Sequence, residues 1–153
     1  MKPIDFFTQY SEAAISACQG TPFFPSVLIA QAAVESAWGE SSLSKTYNNF
    51  FGIIPGSTWN GETINLYSAH DASLGLAPRR DYRVYGSPEE CFADRNKVLM
   101  ASRYAEAQAA TTPEDQAIGI ESGGWAGVDN NYAATIMTIV NEHNLTNLDK
   151  KKR

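Results

Sequence analysis

The sequence predicts a mainly α-helical (α+β) single domain, with one small antiparallel β-hairpin inserted between two helical halves. Apolar residues recur at three- and four-residue spacing over most of the chain, which is typical of amphipathic helices. Alternating β-branched and aromatic residues mark the segment of about residues 52–86 as the hairpin lobe. With 153 residues, 43% of them hydrophobic, residues 1–148 are expected to share one core, and residues 149–153 form a basic tail.

Two helices are predicted before the hairpin. The first covers residues 4–19 and ends at residues 20–22 (GTP). Pro25 suits the first turn of the second helix, because a missing N–H costs no hydrogen bond there. This second helix is apolar nearly all round, so it should be central, and Trp38-Gly39 break it. A short helical turn is expected at residues 41–45.

The hairpin lobe is predicted to contain two paired strands. Residues 63–66 and 81–85 carry the alternation of a strand, and residues 68–78 between them are expected to form a loop. Pro55 and Gly56 mark the change from helical to extended chain.

The second helical half begins at a strong N-terminal signal. Ser87 suits the N-cap, Pro88 the first helical position and Glu90 the third, which predicts a helix running to about Ala101. Thr112 is expected to cap another helix. The remaining predicted segments are a short helix at 104–110, a helix end at 123–124, a loop at 125–131 and a last helix at 132–144.

Composition excludes several classes of function. The net charge is −5, and without the four basic residues of the tail the other 149 residues carry eight basic and seventeen acidic side chains, a formal charge of −9. No basic stripe exists to neutralise phosphates, so nucleic acid is not the expected partner and the tail is expected to be a solvated end. No membrane-spanning run and no signal peptide are visible, so export by a non-standard route, or a removed leader, is expected for any role outside the cytoplasm.

The cysteines and histidines predict no metal site and no cofactor. Cys18 and Cys91 each fall within a predicted helix, where they are either buried free thiols or a single disulfide between helices. His70 and His143 stand alone, without the spacing of metal ligands.

Glu35 is the residue best placed for chemistry. It shares a helix face with Leu28 and Ala32, with Gln31 beside it, and lies within a turn of the helix end. Desolvation and the negative end of the helix dipole both predict a raised pKa, which a carboxylic general acid needs near neutral pH. Trp38 could shield the carboxyl group from water. The alternative is a structural acid that binds backbone N–H groups at the turn.

Four blocks of sequence, in order, resemble a known family. They are residues 32–39 (AAVESAWG), 48–53 (NNFFGI), 82–90 (YRVYGSPEE), and the pair 123–126 (GGWA) with 129–133 (DNNYA). Together they are spread over residues 32–133. The chain thus resembles the bacterial endo-β-N-acetylglucosaminidase family (mannosyl-glycoprotein endo-β-N-acetylglucosaminidase-like) of autolysins and flagellar peptidoglycan hydrolases. The resemblance implies a lysozyme-like helical domain.

The resemblance also implies roles for individual residues. Glu35 would protonate the glycosidic oxygen, and Tyr132 would help to hold the substrate or the oxocarbenium-like transition state. Other residues are expected to bind the sugar, since aromatic rings cover the C–H faces of sugars, although each aromatic could instead be ordinary core. These expected substrate-binding residues are Gln31, Asn49, Phe51, Trp59 and Trp125.

The sequence leaves three alternatives for the second catalytic group. Glycoside hydrolases usually pair two carboxylates, and family members often carry an acid in the hairpin. Here that position falls on His70, followed by Asp71. Asp71 could substitute, His70 could take the role, or the acetamido group of the substrate could act as nucleophile.

The resemblance therefore predicts hydrolysis of peptidoglycan strands between N-acetylglucosamine and N-acetylmuramic acid, with Glu35 as general acid. A lysozyme-like muramidase, a lytic transglycosylase and a catalytically silent glycan-binding domain are the alternatives. Action in the bacterial cell wall or periplasm is expected. The absence of a visible leader or wall-binding repeat favours a phage lysin or a secreted antibacterial effector, which would also have an immunity or secretion partner.

Overall fold

A computed structural model describes residues 1–127 and 129–153, with all of their side chains except that of His70. It confirms a mainly helical domain with a hairpin between two helical halves. The helices are α1 (Pro3–Cys18), α2 (Pro25–Glu35), α3 (Ser42–Tyr47), α4 (Ala69–Ser73), α5 (Pro88–Val98), α6 (Ala105–Ala109), α7 (Pro113–Ser122), α8 (Tyr132–Glu142) and α9 (Thr146–Asp149). The strands are β1 (Thr63–Tyr67) and β2 (Arg79–Arg83), and a 3₁₀ helix covers Ser102–Tyr104.

Helix α2 forms the centre of the core, as its apolar sequence predicts. Every residue from Pro25 to Ala33 is buried. The helix packs against α1, α7, α8 and α9. Because the core around α2 is closely packed, the carboxyl-terminal end of the helix is held in a fixed position.

The end of α2 is fixed by an unusual turn. The Ser36 hydroxyl donates to the Ala32 carbonyl at 2.6 Å and accepts from the Gly39 N–H at 2.8 Å. Ala37 and Trp38 both adopt left-handed backbone angles, with φ of 50° and 58°. Such angles cost on the order of 1 kcal/mol or more for each non-glycine residue, so surrounding contacts must impose the turn. Among those contacts, the Trp38 N–H donates to the Ala33 carbonyl at 2.8 Å.

The two strands pair antiparallel, with Thr63 opposite Arg83 and Tyr67 opposite Arg79. Residues 68–78 were predicted as a loop, but five of them form the short helix α4. Ser68 caps this short helix by accepting from the Asp71 N–H at 3.1 Å. Serine three residues before an acid is a cap signal that the sequence already carried.

In the second half, both predicted caps are confirmed. Ser87 accepts from the Glu90 N–H at the start of α5, and Thr112 accepts from the Asp115 N–H at the start of α7. Helix α5 ends at Val98 rather than near Ala101. The residues predicted as one helix at 104–110 divide between the 3₁₀ helix and α6.

The carboxyl-terminal residues contact the helical body. Helix α9 was not predicted, and its Asp149 carboxylate accepts from the Ser26 N–H at 2.9 Å and the Ser26 hydroxyl at 2.7 Å, at the first turn of α2. Lys152 donates to the Thr21 carbonyl at 2.5 Å, whereas Lys150 and Lys151 are exposed. The expected solvated end is therefore partly docked.

The two cysteines are buried free thiols, so of the two alternatives the disulfide is not formed. Burial raises the pKa of the Cys91 thiol to about 12, which makes it unreactive at neutral pH. None of the described helices is long and apolar enough to cross a membrane.

Candidate active site

An open cleft of about 510 Å³ lies between the end of α2, the hairpin lobe and the 3₁₀ helix. Glu35, the last residue of α2, opens into it, where solvent reaches its side chain. Aromatic and cationic side chains make up most of the rest. The full lining is Glu35, Phe51, Gly52, Ile53, Ile54, Gly56, Arg80, Tyr82, Arg83, Val98, Arg103, Tyr104 and Trp125.

Glu35 and Tyr132 form a hydrogen-bonded pair. The Tyr132 hydroxyl, carried on the first turn of α8, donates to Glu35 Oε1 at 2.9 Å. Desolvation by the cleft walls raises the pKa of Glu35, and the Tyr132 hydrogen bond offsets part of that rise. Burial and the neighbouring Glu35 charge likewise raise the pKa of Tyr132, so its hydroxyl keeps its proton and acts as a donor. The predicted raised pKa of Glu35 is confirmed in direction.

Gln31 lies behind this pair and does not line the cleft. Its side chain is completely buried, and its Oε1 accepts from Arg95 Nε at 3.0 Å. It faces Tyr132 closely enough to lower the pKa of that hydroxyl, although its Nε2 makes no well-formed hydrogen bond. The expectation that Gln31 binds substrate is corrected, because a buried amide can only support Tyr132 from behind.

Two of the predicted aromatic residues do form the cleft wall. The Phe51 and Trp125 rings meet edge to face, with centroids 6.2 Å apart. Phe51 is almost fully buried and also packs on Phe92, so it is both core and cleft wall. Trp125 is partly exposed and offers more of its surface to the cleft.

Trp38 and Trp59 lie away from the cleft. Trp38 packs against the Phe6 and Phe7 rings of α1, so it does not shield Glu35 from water. Trp59 packs on Tyr85 and under the Arg83 guanidinium, and it lines two smaller pockets instead. Its expected place beside the substrate therefore has no support in this geometry.

Asn49 is buried and has a structural role in place of the expected sugar contact. Its Nδ2 donates to the carbonyls of Ile53 and Arg83, at 3.0 and 2.9 Å. Its Oδ1 accepts from the N–H groups of Phe51 and Ile53. One side chain thus joins the Phe51 loop to the hairpin lobe, two segments that both line the cleft.

Asp71 is not among the residues that line the cleft. It lies in α4, nearly buried, and its Oδ2 pairs with Arg80 Nη2 at 3.1 Å. The guanidinium of Arg80 reaches the cleft, so Asp71 lies behind a cation. The His70 side chain lies outside the described part of the structure, and its proposed role stays a prediction.

The cleft also contains residues that sequence reasoning missed, above all three arginines. Arg80, Arg83 and Arg103 all line it, in a chain whose net charge is −5. Only Arg83 belonged to a recognised block, and nothing in the local pattern distinguishes the other two from surface arginines. Within residues 1–127 and 129–153, no group of three histidine, cysteine or acidic residues could hold a metal ion.

Residues 11–145 match the family described as mannosyl-glycoprotein endo-beta-N-acetylglucosaminidase. The chain belongs to this glucosaminidase family. It is 32% identical, over 94% of its length, to a probable N-acetylmuramidase of Lactococcus lactis subsp. lactis, of which the match covers 34%. The chain thus spans about a third of that relative's length.

Two solved structures, of an autolysin catalytic domain and of a glycoside hydrolase domain, share the fold. The catalytic domain of the autolysin Auto from Listeria monocytogenes aligns with a TM-score of 0.78 and 30% identity, covering 97% of this chain and 90% of that one. The glycoside hydrolase domain of Salmonella typhimurium FlgJ aligns with a TM-score of 0.78 and 25% identity, covering 99% and 94%. The lysozyme-like type of fold expected from the resemblance is confirmed by these neighbours.

In this glucosaminidase-family site, we expect replacement of Tyr132 by Phe to change the pH dependence of glycan cleavage. A general acid must be protonated, so a reaction that uses Glu35 as its acid proceeds below the pKa of Glu35 and is lost as pH rises through that pKa. The Tyr132 hydroxyl lowers that pKa, so its removal raises the pKa further and moves the alkaline limb to higher pH. Loss of the hydrogen bond is also expected to lower kcat about tenfold. The measurement is kcat against pH.

Tyr104→Phe is the matched control. Tyr104 also lines the cleft, but its buried hydroxyl has no hydrogen-bond partner in the described structure. We expect that variant to keep the pH profile of the unmodified chain. An identical alkaline limb in the Tyr132→Phe variant would contradict the coupling of Tyr132 to Glu35.

Proposed function

We propose that this domain hydrolyses peptidoglycan strands at the β-1,4 bond between N-acetylglucosamine and N-acetylmuramic acid, leaving N-acetylglucosamine at the new reducing end. The observation that carries the proposal is the raised-pKa carboxyl group of Glu35, held by Tyr132 and facing an open cleft. The description of the matching family supports this choice of bond.

In the proposed reaction, protonated Glu35 donates its proton to the glycosidic oxygen as the bond breaks. Tyr132 keeps the carboxyl group in position and stabilises the carboxylate that results, through its 2.9 Å hydrogen bond. Phe51 and Trp125 present ring surfaces on which the sugar rings can pack. Desolvation keeps the acid protonated closer to neutral pH than an exposed glutamate would be.

The second group is proposed to come from the substrate. Glu35 is the one carboxylate among the described residues that line the cleft, whereas Asp71 is engaged by Arg80. The acetamido oxygen of the sugar can attack the anomeric carbon, and water then opens the cyclic intermediate. A base supplied by Asp71 or His70 stays the alternative.

A muramidase is the second candidate function, which would cleave the other β-1,4 bond of the same strand. It is favoured by the name of the Lactococcus lactis relative, a probable N-acetylmuramidase. Both candidates use the same acid, so the identity of the bond must be decided by the products.

Digestion of purified cell walls tests both the bond and the mechanism. We expect new reducing ends of N-acetylglucosamine, whereas reducing-end N-acetylmuramic acid would establish the muramidase. Anhydromuramic ends would indicate a lytic transglycosylase, and no release would indicate a silent binding domain. Proton NMR of the first product formed should show the β-anomer, because acetamido participation retains configuration. An initial α-anomer would assign the base to the protein.

The proposed site of action is the bacterial cell wall, where this substrate occurs. The immunity or secretion partner expected from the sequence stays a prediction. So does the expected role as a phage lysin or antibacterial effector.

A further inference from the structure

The three arginines of the cleft differ in what neutralises them. Arg83 is fully engaged, since it donates to the Ile54 and Pro55 carbonyls and pairs with Asp94 at 2.8 Å. Arg80 is half exposed and is paired with Asp71. Arg103 is exposed, and among the described residues no carboxylate pairs with it. One cationic group of the cleft therefore lacks a counter-charge.

Arg103 is also held in place. Its guanidinium carbon lies 4.7 Å from the centre of the Tyr104 ring, a cation–π arrangement that restricts the position of the guanidinium. The Tyr104 ring in turn lies so close to Gly123 that any Cβ at this position would overlap it. A Cβ at the next residue, Gly124, would lie 3.9 Å from Arg103 Nη1, which is an ordinary van der Waals contact. Gly123 alone therefore makes room for the Tyr104 ring, and with it for the arginine that packs on that ring at the cleft.

A fixed, unpaired guanidinium at the edge of a sugar-binding cleft is suited to a carboxylate. It offers five N–H donors in a planar fork, which matches the two oxygens of a carboxylate. Little side-chain entropy is lost on binding, because the Tyr104 ring already restricts the guanidinium. N-Acetylglucosamine has no carboxylate, but the muramic acid side of a peptidoglycan strand does, on its lactyl group or on the attached peptide.

We propose that Arg103 is a specificity-determining residue that binds a carboxylate of the muramic acid unit or of its peptide. This rests on the proposed function, and it adds a reason for choosing peptidoglycan over neutral polymers of N-acetylglucosamine. Arg80, whose charge is already matched by Asp71, contributes less.

Binding can be measured without turnover in a Glu35→Gln background, by the fluorescence of tryptophans that include Trp125 in the cleft. Three soluble probes separate the sources of the carboxylate. They are glycan strands with peptides attached, strands with peptides removed so that the lactyl carboxylates are free, and N-acetylglucosamine oligomers of equal length. Arg103→Gln is the test variant. Arg79→Gln is its matched control, an exposed arginine outside the cleft that bonds to Asn65.

We expect Arg103→Gln to weaken binding of one or both carboxylate-bearing strands about ten- to hundredfold and to leave the neutral oligomer unchanged. The strand that is affected identifies the carboxylate. Equal weakening of all three probes would show that Arg103 only shapes the cleft and would overturn the proposal, as would no weakening. If the Glu35→Gln chain binds no probe, the proposed function itself fails, which is a distinct result.

Discussion

The Glu35→Gln chain is expected to cleave peptidoglycan about 10²- to 10⁴-fold more slowly than the unmodified chain, because an amide cannot supply the proton that the leaving oxygen needs. Folding should be retained. The Glu35 side chain makes one hydrogen bond, to Tyr132, and its carboxylate is disfavoured by desolvation. A neutral amide of the same shape removes that cost at neutral pH, so we expect the free energy of unfolding to change by less than about 1 kcal/mol.

The measurement combines release of soluble glycan fragments with thermal unfolding of the same preparation. Glu40→Gln is the matched control, because Glu40 is exposed, lies outside the cleft and pairs with Lys45 at 2.8 Å. That variant should keep full activity. Fragment release by the Glu35→Gln chain at a rate near that of the Glu40→Gln chain would assign the proton to another group.

The local signals of the sequence predicted the fold well, since they depend on a few neighbouring residues. Ser87 and Thr112 cap helices as expected, because a cap hydrogen bond reaches only three residues along the chain. Because α2 is apolar nearly all round, its position at the centre of the core could be predicted. The alternating pattern of the strands likewise predicted the hairpin. Glu35 was found for the same reason, as an acid at the end of an apolar helix.

Side-chain direction at the turns could not be predicted in the same way. Trp38 follows Glu35 by three residues, yet the left-handed turn at residues 37–38 directs its ring to α1 and away from the cleft. Asn49 is next to the cleft in sequence, but its amide is used by four backbone groups. Both outcomes depend on contacts with distant segments, which no local spacing encodes.

The sequence also could not predict the interest of Arg103. That interest depends on the lack of a paired carboxylate among the described residues, which only the folded structure shows. The environment of Arg103 is set in part by Gly123, twenty positions later, where any Cβ would overlap the Tyr104 ring on which the guanidinium packs. The pair of glycines at 123–124 was recognised as part of a family block and as a helix end. A glycine at residue 123 is the sequence signal that could have indicated the close approach of the Tyr104 ring to this part of the backbone.

The second prediction with a large effect is a loss of stability on replacement of Arg95, a residue of α5 that is completely buried. Its Nε donates to Gln31 at 3.0 Å and its Nη1 to Asn96 at 2.7 Å, but Nη2 has no partner among the described residues. Burial lowers the pKa of Arg95 to about 10, so the charged form destabilises the fold at neutral pH, and only above that pH is the cost relieved.

We expect Arg95 to align Gln31, which lies between Arg95 and the Tyr132–Glu35 pair. Arg95→Ala is expected to lower the free energy of unfolding by about 3–5 kcal/mol, because it leaves a cavity and two buried oxygens without donors. The double variant Gln31→Leu with Arg95→Met refills the space with apolar groups, and we expect most of that stability to return. Urea unfolding of the two variants measures the difference.

The double variant separates packing from positioning, because it is expected to fold and yet to have an altered site. Without Gln31 behind it, Tyr132 should hold Glu35 less well, so kcat should fall about tenfold and the alkaline limb should move to higher pH, as in Tyr132→Phe. A purely structural network would leave the pH profile unchanged once stability is restored. If the double variant shows the profile and kcat of the unmodified chain, Arg95 and Gln31 serve the core alone and the buried charge has no part in aligning the acid.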